Sequence, residues 1–113
     1  MTEGRRAEDI ASPEDAEAQV GWRRVRAKLL ARRGDLDEAE RLGREAVAIA
    51  SGTDYLDARA HAAADLGEVL RLAGRPQDSA TALEEAIRLN DNKGNFVAAG
   101  RLRSLLAEPP LEV

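Results

Sequence analysis

A recurrence of small and turn-forming residues every 40 positions constrains this chain more than any other feature. Ala27 recurs as Gly67, Leu29 as Val69, Leu30 as Leu70 and Gly34 as Gly74. Farther on, Ala39 recurs as Ser79, Glu45 as Glu85, Ala46 as Ala86 and Ile49 as Leu89. The same offset carries Leu56 to Phe96, Ala58 to Ala98 and Leu66 to Leu106. A chance amphipathic bundle repeats its apolar stripes but has no reason to repeat its smallest residues at a fixed distance. Close helix crossing supplies the reason, because small side chains let two backbones approach. Ala27 against Ala39, and Gly67 against Ser79, are expected to mark two crossings, with Gly34 and Gly74 reversing the chain between them. One helix pair cannot bury its apolar face alone, so the period predicts stacked pairs. A plain bundle is the alternative.

The residues between these marks read as five helices. The 22 alanines, with leucine, arginine and glutamate, favour helix, and sparse β-branched residues argue against a sheet. Ser12 is expected to cap the first helix, with Pro13 at its first position and Asp15 near its third amide. Ala18, Trp22, Val25 and Leu29 form its stripe, expected on the core side. Gly34 ends it, and Asp35 with Glu38 is expected to cap the second, whose inner face is Leu36, Ala39, Leu42, Ala46 and Ile49. A third runs from about Asp54 to Ala73 on Leu56, Ala60, Ala63, Leu66 and Leu70. Leu83, Ala86, Ile87 and Leu89 mark the fourth, before a polar turn from Asn90 to Asn92. Phe96, Ala99, Leu102 and Leu106 line the fifth, which Pro109-Pro110 stops. Trp22 and Phe96 are both expected in the core. The division expected is a flexible segment at 1–11, one helical domain at 12–108 and a tail at 109–113.

Gly34-Asp35-Leu36-Asp37-Glu38-Ala39, followed by Ala46, resembles the central signature of a tetratricopeptide repeat. Gly74, Pro76, Ser79, Leu83 and Ala86 are similar to the same signature with serine in place of the usual alanine, and Ala27 and Gly67 match its small position in the first helix. The period of 40 is similar to the long-helix variant found in C-terminal or sensor regions of bacterial transcription activators and signalling ATPases. The resemblance implies an all-α, right-handed stack of antiparallel helix pairs that presents a concave groove to a peptide or helix. Positions lining that groove would be Arg24, Lys28, His61, Ala64, Glu68, Arg71, Arg101 and Ser104. No asparagine stands at the matching places and Glu68 is negative, so a mixed-charge partner fits better than a lone carboxylate.

Other chemistry is thinly represented. There is no cysteine and one histidine, so no metal site and no cofactor is expected. No apolar run is long enough to span a membrane, and Met1 to Ile10 lacks the apolar stretch of a secretion signal, which makes cytoplasmic residence the expectation. The net charge of -4 gives no general reason to expect nucleic acid. Arg23, Arg24, Arg26, Lys28, Arg32 and Arg33 nonetheless form a one-sided basic run, while the chain from residue 34 onward carries nine basic and fifteen acidic side chains. That polarity can steer an acidic partner, and reversing Arg24 and Lys28 to glutamate is expected to weaken binding with helicity intact. His61, with Asp57 and Asp65 four residues to either side, could form an oriented imidazole or an ordinary surface cluster. A non-catalytic protein- or peptide-binding scaffold is the expectation, with a homodimer through a terminal helix as the simplest way to cover an open end. A regulatory fragment of a longer bacterial transcription or signalling protein is the second reading, and a small enzyme using His61 the third.

Overall fold

The computed structural model describes residues 13–109, which form five helices: α1 Pro13–Arg32, α2 Leu36–Ser51, α3 Leu56–Leu72, α4 Pro76–Asn92 and α5 Phe96–Ala107. No strand occurs among the described residues. The expected Ser12 cap, the segment at 1–11 and most of the tail lie outside them. From α2 onward the helices begin at residues 36, 56, 76 and 96, so each starts 20 residues after the last. The 40-residue recurrence is twice this interval, one helix pair. Each helix packs on its neighbours in the chain, and α1 also reaches α3.

Three of the four turns share one construction. Gly34, Gly74 and Gly94 take φ of 87°, 76° and 81°, a left-handed conformation that glycine adopts without a Cβ penalty. In the first, the Gly34 amide donates to Ala31 O at 3.1 Å and the Asp35 amide to Leu30 O at 2.9 Å. The same pair of bonds joins Gly74 to Arg71 and Arg75 to Leu70, and again Gly94 to Asp91 and Asn95 to Asn90. This arrangement satisfies carbonyls that a helix end leaves open. At the fourth turn Asp54 stands where the 20-residue interval would place glycine. There Thr53 Oγ1 donates to Ala50 O at 2.8 Å and accepts the Tyr55 amide at 3.2 Å.

Two local expectations need correction. Asp35 precedes α2 but its side chain makes no capping bond; its amide is held by Leu30 O and its φ, ψ of -84° and 67° lie away from the extended conformation of a side-chain cap. Of the four caps described, only Asn95 uses its side chain, accepting the Ala98 amide at 3.2 Å. Asn90 to Asn92 is not a turn either, because α4 continues through Asn92. Asn90 is buried and donates Nδ2 to Ala86 O at 2.9 Å, so its amide is satisfied on the helix and does not break it.

The core is a chain of alanine-rich contacts. Ala27, Ala31, Ala39 and Leu42 meet Val69 of α3, and Val20, Ala46 and Ala50 meet Ala62. Ala63, Leu83, Ala86 and Ile87 meet Ala99 and Leu102 of α5. The tightest crossing is between α3 and α4. A Cβ built on Gly67 would lie 2.6 Å from Leu83 Cδ2 and 2.8 Å from Cγ, while Ser79 Oγ donates to Gly67 O at 2.7 Å. No methyl group fits there.

The expected core stripe of α1 faces outward. Its buried apolar residues are Ala16, Val20, Ala27 and Ala31, whereas Trp22, Val25 and Leu29 are 46%, 59% and 47% exposed; Ala18 is exposed with them. The repeat explains the error. Trp22 and Leu29 correspond to Ala62 and Val69, which are buried against the preceding helix pair. Among the described residues no pair precedes α1, so the equivalent face stays open. Phe96, 68% exposed, is likewise outside the core: it is the first residue of the last helix, where no further helix pair follows among the described residues.

Candidate functional site

A groove of about 580 Å³ runs across the first helices of successive units, α1, α3 and α5. Its walls follow the 40-residue register. Arg24, Ala64 and Ser104 make one row, Lys28, Glu68 and Glu108 a second, and His61 with Arg101 a third. Each row steps from one helix to the next because equivalent residues point the same way on equivalent helices. Ala60, Ala98 and Leu102 keep the floor apolar, and Asn90 and Asn95 close it beside the last turn. Seven of the eight positions read from the sequence therefore line one concavity. Arg71 does not line it: its Nη2 donates to Pro109 O at 3.0 Å and pairs with Glu108 at 3.1 Å, tying α3 to the end of α5.

The basic side of the groove is largely neutralised. Asp65 accepts from Arg24 Nε at 2.6 Å and lies 3.6 Å from Lys28 Nζ, a pairing that links α1 to α3. Arg23, the next member of the basic run, turns away: it donates to Glu45 Oε1 at 3.0 Å and to Gln19, and its guanidinium stacks 4.4 Å from the Trp22 ring centroid. Asp57 is paired with Lys93, whose hydrogen bond, and then its charge, hold that carboxyl below its ordinary range. Among the described residues, His61, Glu68, Arg101 and Ser104 make no side-chain hydrogen bond or ion pair. They are the polar groups left for a ligand.

His61 sits on α3 near both aspartates, but these carboxylates are taken by Lys93 and by Arg24. Partial burial, and then the charges of Arg24 and Lys93, lower the imidazole below its ordinary 6.5, against the opposing pull of Asp57 and Asp65. The ring is neutral at pH 7. Because the folded value lies below the unfolded one, the unfolded chain takes up this proton first. The stability linked to His61 is therefore complete above pH 6.5 and declines as pH falls from there through the folded value. An NMR titration of this single histidine is expected to show a midpoint under 6.5; a midpoint above it would contradict the placement between Arg24 and Lys93.

Asp65, Asn90, Asn95 and Glu108 are the polar groove residues that the eight expected positions leave out. Asn90 and Asn95 flank Gly94, and that third turn, equivalent to Gly34 and Gly74, was the available signal. Asp65 stood out only as a neighbour of His61, one turn away, with nothing local to show that Arg24 and Lys28 pair with it. Among the described residues no group of three or more potential ligands is placed to hold a metal ion, and no helix is long and apolar enough to cross a membrane.

Comparison with known proteins places the repeat. A family model for the tetratricopeptide repeat matches residues 17–92, a span that holds both small-residue crossings and two of the three glycine turns. No curated protein and no solved structure matches the chain. With the family match covering well over half of the residues, and with paired helices and turn glycines in register, the chain belongs to the tetratricopeptide repeat family.

Proposed function

We propose that the protein is a non-catalytic interaction module whose groove holds a peptide segment or helix of mixed charge. The observation that carries this reading is the set of unpaired polar groups, Glu68, Arg101 and His61, set around an apolar floor on two successive first helices. An acidic side chain on the partner finds Arg101, and a basic one finds Glu68, at opposite ends of the register rows. Guanidinium and carboxylate ends paired in this way give orientation as well as affinity. The non-catalytic part of the proposal is supported by the partners of Asp57 and Asp65, which leave His61 without an orienting carboxylate. Membership of the repeat family points to the same class of activity.

The test is selection of binding peptides from a random display library, followed by calorimetry with Arg101→Glu and Glu68→Arg. Both side chains are exposed and unpaired, so both variants are expected to melt like the parent. Each is expected to weaken a selected peptide roughly tenfold, the magnitude of one charge-assisted contact. Selected peptides that bind both variants as tightly as the parent would remove the groove from consideration.

A further inference from the structure

We propose that the outer face of α1 is a self-complementary interface through which two copies of this chain pair antiparallel about a two-fold axis. Ala18, Trp22, Val25 and Leu29 form one exposed stripe, and their spacing of four, three and four reads the same in both directions. An antiparallel partner centred between Arg23 and Arg24 therefore lays the stripe over its own image. Trp22 then falls opposite Val25 of the second copy, and Ala18 opposite Leu29, large against small in each case. A parallel partner would instead stack each residue on itself.

Charge selects the same arrangement. The first turn of α1 carries exposed Asp15, and its last turn carries exposed Arg32. The two-fold that superimposes the stripe sets Asp15 of one copy opposite Arg32 of the other, twice over. In the parallel alternative like charges meet at both ends, which is repulsive.

Arg24 and Lys28 lie on the flank of α1 that faces α3, so the pairing leaves both grooves open. The dimer presents them as two equivalent sites on one particle, which favours a partner carrying the recognised segment twice. This consequence rests on the groove reading; the interface itself does not.

Sedimentation velocity over about 1 to 200 µM should show a monomer–dimer equilibrium, and the emission of Trp22, the only tryptophan, should shift to the blue as the dimer fills. Val25→Glu is expected to raise the dimer dissociation constant roughly a hundredfold by setting carboxylates inside the interface, with unchanged circular dichroism because Val25 is exposed. Asp15→Arg and Arg32→Asp should each weaken self-association about tenfold, and an equimolar mixture of the two should form heterodimers with parental affinity. A monomer throughout, masses growing beyond the dimer as in a head-to-tail stack, or separate charge variants that dimerise like the parent would each overturn the proposal. A concentration-independent blue emission from a monomer would do so too, since the stripe would then be covered by the chain's own remaining residues.

Discussion

Gly67→Leu is expected to lower the unfolding free energy by roughly 2–4 kcal/mol, at or beyond the upper end of ordinary overpacking. The reason is local. A Cβ at this position already meets Leu83 at 2.6 and 2.8 Å, and Leu83 is only 2% exposed, in a buried cluster with Ala63, Ala86, Ile87, Ala99 and Leu102. Separating α3 from α4 would relieve the clash but break the Ser79 Oγ to Gly67 O bond, leaving a buried hydroxyl without its acceptor. Urea unfolding measures the loss directly. A double-mutant cycle sharpens it: Gly67→Ala with Leu83→Ala should be less destabilised than the sum of the single changes, by about 1–2 kcal/mol. Additive effects would mean that the two residues do not share one space.

The second large effect concerns the seam between α1 and α3. Arg24→Glu with Lys28→Glu is expected to cost roughly 2–3 kcal/mol, less than a fully buried pair because Arg24 keeps partial contact with water. Asp65 has a side chain only 13% exposed and faces both cations; reversing them sets three carboxylates together. That contact adds a cost in stability to the weakened binding expected of this double reversal. Most of the effect belongs to Arg24, whose bond is 2.6 Å. Lys28→Glu alone, at 3.6 Å and on a more exposed side chain, should change stability by no more than about 0.5 kcal/mol. Adding Asp65→Arg to Arg24→Glu should restore much of the loss. Thermal unfolding identical to the parent for Arg24→Glu would show that the pair contributes nothing to the seam.

What the sequence revealed and what it hid follow from the same physics. Small residues and turn glycines were legible because each answers to one local requirement: Gly34 and Gly74 to a left-handed turn, Gly67 to a neighbour's side chain. The groove rows were legible for a related reason, since a register copies orientation from one helix to the next. The face of α1 was not legible. Periodicity reports that Trp22, Val25 and Leu29 share a side, but not whether anything covers that side. In α3 the matching residues, Ala62 and Val69, are covered by an earlier helix pair; in α1 they are open. Ion pairing across helices was equally hidden. Arg24 and Asp65 are 41 residues apart, and no local pattern separates a paired arginine from the solvated Arg101.

The tight approach of Gly67 to Leu83 also bears on which helices can be neighbours at all. The turns at Gly34, Gly74 and Gly94 are nearly alike, and every helix from α2 onward starts on the same 20-residue beat. Such regularity invites mispairing, for instance of α1 with α4 in place of α2. In the first unit the positions equivalent to Gly67 and Leu83 are Ala27 and Gly43. A misplaced α4 would therefore drive the Ala27 methyl into the space that Leu83 occupies, a space open only to glycine. The exchange of bulk between the two units acts as a lock and key between helices, so the repeats share a geometry without sharing partners. It gives the order of the stack, and not only its stability, a basis in side-chain shape.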